Sequence, residues 1–232
     1  MHTILQQALP RTHFASLILL LCILFLPGCD QQETQSKAEE RAAVSAYKGT
    51  IIAVGDSLTA GLGVMEYEAW PALIEQKLQK NGQHWQVINA GISGETSSGL
   101  LSRIKWTVAQ KPEIVILETG ANDGFRGIPT SLVRKNISEA VRILQEGNVT
   151  VVLAGMQIVQ NLGAEYTGEF AAIYPSVARE QGCILIPFFL QQVAGEAALN
   201  QGDTIHPNEQ GHRIVAETVY PYVLQAMQAH LL

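Results

Sequence analysis

From Thr50 onward the chain alternates short apolar runs with longer segments of helical periodicity, and it does so five times. The runs are "TIIAVG", "WQVINAG", "EIVILETG", "VTVVLAG" and "CILIPFF". They are short, nearly continuous in apolar residues and bounded by Gly or by polar residues. That is the pattern of strands buried on both faces. Between and after them come "YEAWPALIEQKLQKNG", "TSSGLLSRIKWTVAQK", "IPTSLVRKNISEAVRILQEGN", "AEYTGEFAAIYPSVAREQG" and "PNEQGHRIVAETVYPYVLQAMQAHLL". These carry helix punctuation: Thr/Ser caps before the second, Pro129 and Gly147 bracketing the third. Pro221 is expected to bend or divide the last. Five strands joined by crossover helices imply an α/β chain with a parallel sheet covered on both faces. Ligands of such sheets bind beyond the carboxyl ends of the strands. Three loops lie on that edge: "GDSLTAG", "NAGISGETS" and "TGANDGFRG". A fourth, "GDTIHPN", can reach it.

The domain so outlined is residues 49–232. Residues 1–29 read as a leader. Arg11 is their only formal charge, and Phe14 to Leu26 are apolar except for Ser16. That run is shorter than the roughly 20 residues that span a bilayer, and it suits a secretory core segment. It ends in "FLPGCD", which resembles a bacterial lipoprotein signal with Cys29 as the lipidated residue. Several acyl chains on Cys29 would anchor the protein stably. An aspartate after the cysteine, here Asp30, marks inner-membrane retention in many Gram-negative lipoproteins. The expectation is an exported, periplasm-facing protein, held to the inner membrane if Cys29 is lipidated. Residues 30–48 are polar and read as a tether. Hydrophobic residues make up 47% of the chain and charged ones 16%, enough apolar material for one sizeable core. The net charge of −6 disfavours nucleic acid and anionic membrane surfaces as partners.

Acyl-transfer chemistry needs a nucleophile, a base, a group that orients the base, and donors for an oxyanion. The edge loops offer each. Ser57 follows the first strand. His206 lies in the last loop, before Pro207, which reads as a first helical residue. Asp203, three residues earlier, can fix the imidazole tautomer. Gly94 and Ser57 can supply backbone N–H groups and Asn122 a carboxamide. Taken singly, each of these has an ordinary reading as a cap, a turn or a surface residue. Two other classes of function use the same loops. A flavodoxin-like binding module could cradle phosphate in "GDSLTAG", although the chain lacks a G-x-G-x-x-G fingerprint and a P-loop lysine. A metal hydrolase could draw on Asp203, His206, Glu209 and His212, the last two read as exposed positions at the start of the last helix.

Four blocks in order, "GDSLTAG", "NAGISGETS", "GAND" and "DTIHPN", resemble the SGNH/GDSL hydrolases. The likeness runs from about Thr50 to the C-terminus and is strongest to the bacterial thioesterase, lysophospholipase and arylesterase branch. It implies a three-layer α/β/α flavodoxin-like fold and a carboxylic ester hydrolase acting on acyl esters or thioesters. By this resemblance Ser57 is the nucleophile, Asp203 and His206 complete the triad, and Ser57, Gly94 and Asn122 form the oxyanion hole. An acyltransferase would use the same residues. The implied enzyme needs no metal or cofactor and is a monomer. Asp56 is expected to brace the loop by accepting backbone N–H groups. Leu62, Val64 and Met65 after the first strand, Phe125 and Ile128 after "GAND", and Ile158, Val159 and Leu162 after the fourth strand are candidates for an acyl channel.

Overall fold

The fold is described from a computed structural model over residues 47–230. The leader, Cys29 and nearly all of the tether lie outside the described residues. Strands β1 (Gly49–Gly55), β2 (Trp85–Gly91), β3 (Ile114–Glu118), β4 (Thr150–Ala154) and β5 (Ile184–Ile186) form one parallel sheet in the order β2-β1-β3-β4-β5. The central strands show why the apolar runs are continuous. Ile51 to Val54 and Ile114 to Leu117 are buried along their whole length, so both faces of the sheet are covered. Each Ile, Val or Leu among them contributes about 1.5–3 kcal/mol on burial.

The helices are α1 (Ser57–Ala60), α2 (Trp70–Lys80), α3 (Ser97–Ala109), α4 (Ala121–Phe125), α5 (Thr130–Glu146), α6 (Ala164–Gln181) and α7 (Glu209–His230). Helices α3, α5 and α6 pack side by side, and α2 packs against α7, giving a three-layer α/β/α arrangement. Two of the edge loops contain one short helix each, α1 after β1 and α4 after β3. The chain runs from β1 outward to β2, then crosses back to place β3 on the other side of β1. The order reverses between β1 and β3, where open α/β sheets leave a crevice.

Local punctuation follows the chemistry in most places. Thr96 caps α3, its hydroxyl accepting the Gly99 N–H at 3.3 Å. Pro129 and Gly147 bracket α5. Three expectations need correction. Of the two effects expected of Pro221, division does not occur; α7 is a single element that holds it, as α6 holds Pro175. Pro207 is not the first helical residue. It pairs in an isolated antiparallel bridge with Asn200, and α7 begins at Glu209.

The third correction concerns His212, which is buried at 1% exposure rather than exposed on its helix. Helix α2 opens after Ala69 without a side-chain cap. His212 Nδ1, from α7, accepts the Trp70 N–H at 3.3 Å and takes up one of its orphan donors. The neutral ring therefore carries its proton on Nε2. Burial, with a smaller effect from His206, pushes His212 down to about 4. A histidine held below its ordinary value is protonated more readily in the unfolded chain. Its contribution is present above an unfolded value of about 6.5 and is lost as pH falls toward the folded value of about 4. Denaturant unfolding at pH 7 and pH 4.5 should therefore show His212→Asn losing about 2–3 kcal/mol less stability than wild type over that interval. Equal losses in the two proteins would contradict the buried neutral imidazole.

Candidate active site

The crevice between β1 and β3 is built by the turns that leave those strands. After Gly55 the chain turns into α1, with Asp56 as N-cap and Ser57 as first helical residue. Asp56 Oδ1 accepts the Leu58 N–H at 2.9 Å, as expected for a loop brace. The turn packs directly on the end of β2. A Cβ at Gly91 would stand 2.2 Å from the Ala60 nitrogen, so only glycine admits this approach. The next loop is fastened to the same place. The Ile92 N–H donates to the Gly55 carbonyl at 2.8 Å. The part-buried Arg103 pairs with Glu95 at 2.6 Å and donates to the Ala90 carbonyl at 2.9 Å.

His206 reaches Ser57 from the far end of the chain. Its Nε2 lies 2.9 Å from Ser57 Oγ, and its Nδ1 lies 2.6 Å from Asp203 Oδ2. The carboxylate takes the Nδ1–H, which leaves Nε2 as an acceptor facing the serine hydroxyl. Asp203 is itself oriented, with Oδ1 accepting the Ile205 N–H at 2.9 Å and the His206 N–H at 3.0 Å. These bonds, with the imidazole, hold the Asp203 carboxyl down at about 2, so it stays ionised through neutral pH. The turn that permits this has Thr204 at φ 64°, a left-handed conformation unusual for a branched residue. Gln201 ties the turn to the serine loop, donating to the Leu62 carbonyl at 2.6 Å and the Pro207 carbonyl at 2.9 Å.

Asn122 comes from α4, on the β3 side. Its Nδ2 donates to Asp56 Oδ2 at 3.0 Å, which fixes the orientation of the carboxamide. Its neighbour Asp123 is buried, accepting the Ser97 N–H at 2.7 Å and the Ser97 hydroxyl at 2.6 Å. This clamp joins the start of α3 to α4. Gly94 sits on the exposed loop between β2 and α3 at φ 80°, and its carbonyl accepts from Arg126 at 3.1 Å.

A cleft of about 200 Å³ opens beside Ser57. Asp56, Ser57, Asn122 and His206 make its polar end. Phe125, Ile158 and Val159 line it, as do Met156, Leu190, Ala194 and Ile205. Leu62, Val64, Met65, Ile128 and Leu162 are not among its walls. Leu62, Met65 and Leu162 are exposed, and Ile128 is partly buried against the core. Beside Phe125 from α4, the apolar walls come from the segments after β4, as expected for Ile158 and Val159, and after β5, which the sheet order places on the β3 side of the crevice. Among the described residues no group of three or more His, Cys, Asp or Glu side chains could hold a metal. His212, one of the four candidate ligands, spends its Nδ1 on the Trp70 amide.

Residues 53–214 match the GDSL-like lipase/acylhydrolase family. The chain is 36% identical over 173 residues to the esterase TesA of Pseudomonas aeruginosa, spanning 74% of this chain and 86% of that one. It is 33% identical over 191 residues to an arylesterase of Vibrio mimicus, spanning 82% and 94% respectively. The crystal structure of the psychrotrophic esterase EstA from Pseudoalteromonas, inhibited by monoethylphosphonate, superposes with a TM-score of 0.74 at 31% identity. That match covers 78% of this chain and all of the other. With the family match running through all four edge loops, this chain belongs to the GDSL-like lipase/acylhydrolase family.

Proposed function

We propose that the protein is a serine hydrolase that cleaves acyl esters or thioesters through a covalent acyl-enzyme. The observation that carries this reading is the hydrogen-bonded series Ser57–His206–Asp203, set at the mouth of an apolar cleft on the crevice of the sheet. Ser57 Oγ attacks the acyl carbonyl as His206 Nε2 takes its proton. Asp203 holds the ring in the required tautomer and stabilises the imidazolium. The oxyanion is met by the Asn122 carboxamide and by the N–H groups of Ser57 and Gly94. His206 then returns the proton to the leaving alcohol or thiol. Water, activated by the same imidazole, releases the acid.

The cleft suggests the acyl group as the part of the substrate that is enclosed. Its volume of about 200 Å³ is below the roughly 300–1,000 Å³ of sites that hold drug-sized ligands. An acyl chain fits this space, with the alcohol or thiol moiety left outside. Replacing the nucleophile should cost several orders of magnitude in kcat, as in other triads, where effects of about 10⁶-fold occur. Hydrolysis of p-nitrophenyl butyrate by Ser57→Ala, checked for fold by circular dichroism, should fall to the level of the buffer. Turnover within tenfold of wild type by a folded variant would refute the assignment.

The same reading extends to location. The leader ending in "FLPGCD" supports export and lipidation at Cys29, and the polar segment 30–48 would then link lipid to enzyme. No helix among the described residues is long and apolar enough to cross a membrane. Metabolic labelling with a palmitate analogue should mark the wild-type protein and not Cys29→Ser, and only the wild type should sediment with membranes. Equal labelling, or recovery of wild type wholly in the periplasmic fraction, would show an ordinary cleaved leader.

A further inference from the structure

Behind the serine turn lies a carboxyl group that the reaction outlined above does not use. Glu118, the last residue of β3, is 0% exposed. Its Oε2 accepts the Asp56 N–H at 3.1 Å and the Thr59 hydroxyl at 2.9 Å. Its Oε1 is buried without a hydrogen-bond partner. The space for it is reserved by glycine, since a Cβ at Gly55 would stand 2.4 Å from Glu118 Oε2 and 2.2 Å from Thr59 Oγ1. Asp56, 1% exposed, continues the series on the other side with its bond to Asn122. The hydrogen bonds thus run from β3 through the backbone beside Ser57 to the carboxamide in the cleft.

We propose that Glu118 and Asp56 are positioning residues, forming a buried relay that pins the nucleophile turn and aims the Asn122 carboxamide at the oxyanion. Asn122 has two amide hydrogens. Asp56 holds one, so the other is directed by geometry rather than by rotation of a free side chain. An oxyanion donor is effective because it is oriented before charge develops. Glu118 in turn fixes Asp56 and Thr59 by accepting at a single oxygen.

The relay carries one negative charge. Asp56 and Glu118 are neighbouring buried carboxyls, and no Lys or Arg pairs with either among the described residues. Two such groups do not both ionise. Asp56 keeps the charge, because each of its oxygens takes a donor, Oδ1 from Leu58 and Oδ2 from Asn122, whereas the fully buried Glu118 takes both of its donors on Oε2. Glu118 is the carboxyl that holds a proton, its Oε1 being buried with no donor to stabilise a charge there. Burial first, and then the Asp56 charge, hold Glu118 well above the usual carboxyl range. The charge at Asp56 strengthens its bond to Asn122, and a second charge at Glu118 would compete with it.

This inference rests on the oxyanion role proposed for Asn122. A double-mutant cycle on p-nitrophenyl butyrate separates the two claims. Asn122→Ala alone should lower kcat by about 10²–10³-fold with little change in KM. Asp56→Asn should lower kcat in the same manner, and the double variant should be no slower than Asn122→Ala within about threefold. Multiplicative losses in the double variant would overturn the relay while leaving the triad intact. Activity retained in Ser57→Ala would instead overturn the parent reading. Glu118→Gln, neutral and nearly isosteric, keeps an acceptor for Asp56 and Thr59 and should retain kcat within about threefold. Glu118→Leu, which removes the acceptor, should lose at least tenfold in kcat at constant KM, or fail to fold, in which case Glu118→Gln decides. A Glu118→Gln protein that folds and is crippled would show that the carboxylate charge is required, contrary to the proposal.

Discussion

A parallel sheet covered on both faces leaves its carboxyl edge as the place where polar groups can converge, and the site depends on that constraint. Ile51 to Val54 of β1 and Ile114 to Leu117 of β3 are apolar and buried, and the first polar side chain of β3 is Glu118, at its end. Chemistry begins where the strands stop. The reversal of strand order between β1 and β3 puts Ser57 on one lip of a crevice and Asn122 on the other. His206 and Asp203 then come from the segment between β5 and α7, held in place by Gln201. No element carries more than a part of the site. The sheet that aligns these parts holds the fold together through burial.

That arrangement also explains how much polar material is buried behind the serine. Asp56, Thr59, Glu118 and Asp123 are all nearly inaccessible. Buried polar groups persist when they are hydrogen-bonded. Here the bonds link separate turns: β3 to α1 through Glu118, α3 to α4 through Asp123, α1 to α4 through Asp56. Turns that would otherwise move independently are joined into one support. Positional accuracy of this kind is what an oxyanion site requires, since a donor out of place contributes little.

The sheet, its five helical partners and the residues gathered at the cleft's polar end were legible because their signals are local. Continuous apolar runs, capping residues and the three-residue interval between Asp203 and His206 all lie within short windows. Glu118, His212 and Gln201 were not legible. Glu118 ends an apolar run like any charged strand terminus, and its partner Asp56 is 62 residues away in sequence. His212 meets Trp70 across 142 residues and looks like a solvated helix position in its own segment. The apolar wall was legible only in part. Phe125, Ile158 and Val159 line the cleft, whereas Leu190, Ala194 and Ile205 do so because of where the segments after β5 fold back. Pro221 does not divide α7, since the packing of a long helix outweighs one missing backbone donor, and Pro207 does not open it, since Pro207 pairs with Asn200 and the helix starts at Glu209.

The central claim is that Ser57 is made nucleophilic by His206 at the polar end of a largely apolar cleft. Covalent trapping tests it most directly. The protein is incubated with an alkyl phosphonate ester bearing a good leaving group, and the product is read by intact mass and peptide mapping. One equivalent of phosphonate should attach to the peptide containing Ser57 as activity disappears, and His206→Ala should label far more slowly. Complete loss of activity with the adduct on another residue, or an active enzyme that never acquires a phosphonate at Ser57, would contradict the account.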